Sequence, residues 1–231
     1  MQTNARSKNA SQSTLIRIGG GALLVAFAIH ITANFVLKEF PPIDSTLTEL
    51  KTYLEAEAKT WRIVHGMRYM AVACLGLFLG GVFARIRSGN GKSSAGWEYV
   101  GLVGGVLQLG NLFITNGLET FAFLDFKLLS EQPALFWLVF HVTRVLFTAE
   151  ITTWAILIFG FSMAGWLSET IPRLIGALGF AAAGLGLLSG VFVGTVMTTG
   201  GWPEAVFGIA ALCSLLWFVC MGTWMLWRGD T

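Results

Sequence analysis

Six apolar runs dominate the chain, near 15–38, 61–84, 97–120, 134–162, 172–198 and 205–227, and short polar segments separate them. A helix needs about 20 apolar residues to cross a hydrocarbon core of ~30 Å, and each run is that long. Lipid offers nothing to an unpaired backbone N–H or C=O, so spans of this length satisfy those groups inside a helix. The pattern predicts an all-α, polytopic membrane bundle of six transmembrane helices, forming a single domain over 15–231. The stretch 1–14, rich in Ser and Asn, reads as a disordered cytoplasmic N-terminus. Gly19, Gly20 and Gly21 open the first span, where a neighbouring backbone can come close. Lys38 marks its exit, and Pro41–Pro42 stop the helix.

The longest connector follows. Thr46 with Glu49 three residues on is a capping-box pattern. Leu47, Leu50 and Leu54 then recur at helical spacing, opposite Lys51, Glu55 and Glu57, which predicts a short amphipathic helix on the outer surface. Gly186, Gly190 and Gly194 recur every fourth residue in the fifth span. Such a stripe lets two membrane helices approach closely, either inside one bundle or between copies in a homo-oligomer. Trp61, Trp137 and Trp202 fall at outer ends and Trp97, Trp166 and Trp227 at inner ends, as interfacial indoles do. Trp154 and Trp217 are mid-span and read as packing residues. Cys74, Cys213 and Cys220 have no metal-ligand spacing and read as buried free thiols.

Composition strengthens the membrane reading. The chain is 55% hydrophobic and 12% charged, whereas an average soluble domain carries about twice that charge. A net charge of +2 gives no case for a nucleic-acid partner. Charge placement says more than the sum. With the N-terminus inside, inner segments hold eight basic residues (Arg6, Lys8, Arg17, Arg85, Arg87, Lys92, Arg173, Arg228) and outer segments five (Lys38, Lys51, Lys59, Arg62, Lys127). That bias orients the chain with both termini cytoplasmic, as a multi-pass protein of a bacterial plasma (inner) membrane. The first apolar run is too long for a secretory h-region and reads as a span. There is no Walker loop, dinucleotide fingerprint, zinc quartet or nucleophile elbow. The Gly89-Asn90-Gly91-Lys92 sequence lacks the strand and helix a phosphate loop requires and reads as a basic turn.

Chemistry is concentrated in polar residues inside four of the spans. His30 and Asn34 share a face of the first, and His65 and Arg68 a face of the second. Gln108, Asn111, Thr115 and Glu119 form one stripe on the third, with Asn116 beside it. His141, Arg144, Thr148 and Thr152 form another on the fourth. At 1.5 Å per residue, His30, Arg68, His141 and Arg144 fall roughly 10–15 Å from the outer surface. Charged groups inside hydrocarbon are costly and normally face a bundle interior or wet cavity. The expected site is an outer-half pocket lined by His30, Asn34, His65, Arg68, Asn111, Asn116, Glu119, His141 and Arg144, binding a small ligand, ion or cofactor.

Several chemistries fit these residue types. His30, His65, His141 and Glu119 are a sensible shell for a transition metal. Two of the histidines could ligate haem, with Arg68 and Arg144 on its propionates. Two arginines can clamp an anion, and histidines with Glu119 can pass protons. Against all of these stands simple neutralisation of Glu119 by Arg144, with the histidines bonded to helix carbonyls. Glu150 is separate, near mid-membrane, with Thr153 or a polar group on another helix as its expected partner.

Three local features resemble an uncharacterised bacterial family of six-helix integral membrane proteins, catalogued as a domain of unknown function. They are Tyr53-Leu54-Glu55-Ala56 running on to Trp61-Arg62-Ile63, the turn Ser168-Glu169-Thr170-Ile171-Pro172-Arg173-Leu174-Ile175-Gly176, and the Gly-rich fifth span. The resemblance implies the six-span topology and brings no activity, and the three histidines match no signature of that family. Three functional readings stay open: a small-ligand pocket, a structural or accessory subunit of a membrane complex, and a haem- or metal-dependent oxidoreductase.

Overall fold

The computed structural model describes residues 2–36, 45–88, 93–124, 131–194 and 201–228, with the backbone alone for 2–10, 34–36, 123–124 and 133. Lys38, Pro41–Pro42, the 89–92 turn, Lys127 and residues 195–198 of the fifth run lie outside the described residues, as does the side chain of Asn34. The elements are α1 (Gln2–Val36), α2 (Leu47–Arg87), α3 (Trp97–Leu124), α4 (Pro133–Ser168), α5 (Arg173–Val191) and α6 (Trp202–Arg228). All six are long and apolar enough to cross a membrane, and the chain is a multi-pass membrane protein. Neighbours in sequence are neighbours in space, and α6 returns to pack on α1, so the helices form a closed ring.

Backbone-to-backbone contact closes the ring at three seams. A Cβ on Gly19 would lie 2.9 Å from the Cα of Gly81, and one on Gly20 would lie 2.7 Å from the carbonyl oxygen of Gly222, so α1 meets α2 and α6 without side chains between. A Cβ on Gly160 or Gly104 would fall on the backbone of Gly101 or Leu157, which fuses α3 to α4. Gly186 abuts Ala155 and Ile151, and Gly190 abuts Thr152, so these two residues of the fifth-span stripe pack α5 on α4 inside the chain.

Helix boundaries depart from expectation in two places. α1 starts at Gln2 and takes in the polar stretch expected to be disordered. Extending an existing helix avoids the nucleation cost, and the Gln12 side-chain amide donates to the Ala84 carbonyl (3.0 Å), pinning this stretch to α2. The second departure matters more. The capping box at Thr46 is present: Glu49 N–H donates to Thr46 Oγ1, and Thr46 N–H to Glu49 Oε2 (2.7 Å). The helix it starts does not stop. α2 runs unbroken for 41 residues, about 61 Å, so the amphipathic segment is the projecting end of the second span and not a separate surface helix.

That end is held by its own apolar cluster. Leu50, Leu54 and Trp61 pack against Phe136, Val139 and Phe140 of α4, with Leu118 and Phe121 of α3 alongside. Trp61, expected at the interface, is buried there because α4 covers it. A larger core lies further along the bundle, around Phe78, Leu157, Phe161, Trp217 and Met221, with Phe78 and Trp217 edge to face at 6.3 Å. Exposed Val103, Val106, Leu107, Phe113 and Ile114 line an outward face of α3, fit for lipid. The three thiols are free, with Cys220 on the exposed surface of α6 and not buried as expected. Between the two apolar clusters lies a layer of polar side chains.

A buried carboxylate layer between two apolar clusters

α2 and α3 supply the centre of that layer. Glu119 Oε2 accepts from Arg68 Nη1 at 2.6 Å and lies 3.0 Å from His65 Nε2. All three side chains are largely buried, at 13%, 17% and 4% exposure in that order, so the ion pair is shielded from water. The guanidinium also rests over the Trp61 ring at 5.4 Å, a cation–π contact. Trp61 in turn donates Nε1–H to the Tyr53 hydroxyl (3.2 Å).

The other nitrogen of His65 fixes the proton count. Nδ1 lies 2.9 Å from the Trp61 carbonyl oxygen, which can only accept, so Nδ1 carries a hydrogen. In neutral His65, Nε2 would then be a bare acceptor facing a carboxylate. One further proton must therefore sit between His65 Nε2 and Glu119. Either imidazolium donates to carboxylate, or carboxylic acid donates to imidazole. With Arg68 the trio carries one net positive charge in both forms.

The remaining expected site residues divide. His30 stands on the exposed surface of α1, close enough to Arg68 for their charges to interact. Asn111 is half-buried and donates Nδ2–H to the Leu146 carbonyl (3.1 Å), tying α3 to α4. Asn116 and Thr115 are buried, and neither Asn116 Nδ2 nor Thr115 Oγ1 has a partner. His141 is not brought to Glu119. It is exposed, bonds the Trp137 carbonyl of its own helix (2.8 Å) and lies tilted against the Trp137 ring, with centroids 5.3 Å apart. Arg144, half-buried on α4, is not the partner of Glu119, because Arg68 takes that place across the α2–α3 seam. Among the described residues no three His, Cys, Asp or Glu side chains are grouped as metal ligands, so His30, His65, His141 and Glu119 do not make one ligand set. Both nitrogens of His65 are engaged within the protein.

A second network lies deeper. Gln108 on α3 donates Nε2–H to Glu150 Oε1 on α4, Trp154 donates Nε1–H to the same oxygen at 3.3 Å, and Thr153 donates to Gln108 Oε1. The partner of Glu150 is thus chiefly Gln108, and Trp154 is more than a packing residue. Tyr53 and buried Glu57 were also missed as neighbours of the site. The Tyr53 hydroxyl is half-buried, which raises its pKa, and it feels the charges of Glu57, Glu119 and Arg68. Comparison with family models, curated proteins and solved structures finds no match for this chain.

Proposed function

We propose that this chain is a membrane-embedded binding protein whose polar layer takes a small anionic ligand from the outer side of a bacterial inner membrane. The observation that carries this reading is Arg68. It spends one N–H on Glu119 and has no other hydrogen-bond partner among the described residues, although its side chain is only 17% exposed. A buried guanidinium with spare donors suits a carboxylate or phosphate, which it can hold by two parallel bonds. The net positive charge of the Arg68, His65 and Glu119 trio supports the same choice, since a charge inside the bilayer calls for a counter-charge.

The test uses full-length protein in lipid nanodiscs, with thermal stability followed against small carboxylates, inorganic phosphate and halides. At least one anion should raise the melting temperature of the wild type. The rise should be absent in Arg68→Gln and kept in His141→Ala. No response to any anion, or an equal response in Arg68→Gln, would remove the reading. Orientation belongs to the same proposal: reporters fused to either terminus should read cytoplasmic.

A further inference from the structure

The polar face of α3 does not end at the trio. Glu119, Thr115, Asn111 and Gln108 follow one another at intervals of four, four and three residues, which keeps them on one face and one helical turn apart. A turn is about 5.4 Å, close to the length of two hydrogen bonds of about 2.8 Å meeting at one water. The groups along this face are those a buried water would need. Thr115 Oγ1 and Asn116 Nδ2 are buried and unpartnered. A buried water typically satisfies about three otherwise unpaired polar groups. At the two ends stand carboxyls with an oxygen to spare. Glu119 bonds through Oε2 and Glu150 through Oε1, and the second oxygen of each has no partner among the described residues.

We infer that Glu150 is a proton-binding station loaded from the Glu119 site, with water bridging the turns of α3 at Thr115 and Asn116. The proton that His65 and Glu119 share is the donor at the near end. In loading, an N–H or O–H bond breaks at the trio, each intervening water or hydroxyl passes one proton on, and an O–H bond forms at Glu150 Oε2. The trio is refilled from the aqueous side. No electron moves and no co-reactant is needed. The charges acting on Glu150 among the described residues are those of Arg68 and Glu119, and its other neighbours, Gln108, Thr153 and Trp154, are neutral. Beyond Gln108 the α3–α4 seam is shut, because Gly104 and Gly101 press directly on Leu157, Gly160 and Phe161. The arrangement is a blind branch that stores a proton at mid-bundle, not a passage through the membrane. It rests on the hydrogen-bond geometry alone and holds whether or not the layer binds an anion.

The test is infrared spectroscopy of the full chain in nanodiscs, following carboxyl C=O bands during transfer from H2O to D2O. Glu150→Gln identifies the Glu150 band by its loss. In the wild type that band should shift within the first spectra, far ahead of the core amides. In Thr115→Val with Asn116→Leu the shift should slow by roughly tenfold or more, while Thr115→Ser keeps the wild-type rate. A wild-type Glu150 band that exchanges as slowly as core amides would overturn the inference, and that measurement needs no folded variant. Equal rates in wild type and double variant would overturn it too.

Discussion

At the scale of single residues, Glu119 is the member the others depend on. Removing a carboxylate from a buried pair leaves its cation uncompensated, at a cost of about 3 kcal/mol. Glu119→Gln should show that loss in unfolding measurements in detergent. Arg68→Gln should cost less, because His65 still shares a proton with Glu119. Equal losses would contradict the proton shared between His65 Nε2 and Glu119. Sequence alone identified Glu119, His65 and Arg68, because titratable residues stand out in apolar runs. It mispaired Glu119 with Arg144 and included His141, because spacing along one helix says nothing about which neighbour that face meets. His141 sits a turn beyond Trp137 and uses its own helix, an option open to any histidine with a carbonyl four residues back.

Among elements, the α3–α4 seam and the cap of α2 give separate predictions. Gly160→Ala would drive a methyl into the Gly101 backbone and should cost about 2 kcal/mol. Gly184→Ala meets nothing within 4 Å and should be neutral or stabilising, by up to about 1 kcal/mol, in the same thermal unfolding assay. At the projecting end of α2, the backbone N–H and hydroxyl of Thr46 hold the Glu49 carboxyl below its ordinary range. A lowered folded-state value means the cap contributes above the ordinary glutamate pKa and is lost as pH falls through the lowered one. The protection of amides 47–50, taken relative to their intrinsic exchange rate, should therefore fall on acidification, and Glu49→Gln should abolish that change in protection. The capping box was readable because its signal is four residues long. The continuity of α2 was not, since Lys51, Glu55, Glu57 and Lys59 look like a solvated face. Reading a break near Trp61 also hid the stripe of Tyr53, Glu57, Trp61, His65 and Arg68, which only an unbroken helix puts on one side.

For the whole molecule, the six spans were legible because hydrophobic length is set by the bilayer, while their closure into a ring was not read. The stacking of a polar layer between two apolar clusters was not, since it depends on which faces turn inward. This stacking gives α2 an unusual mechanical position. One end of a stiff rod is clamped between aromatic side chains at the mouth of the bundle, its middle carries Arg68 and His65, and its far end is wedged against Gly19. A rod has no slack to absorb a push. A tug on exposed Glu55 or Lys59, from a bound lipid headgroup or a docked protein, would slide or roll the middle by a similar amount. A shift of about 1 Å is enough to break a 2.6 Å charge-assisted bond. The mouth of the bundle would then act as a handle on the proton and charge of the interior, with no hinge in between.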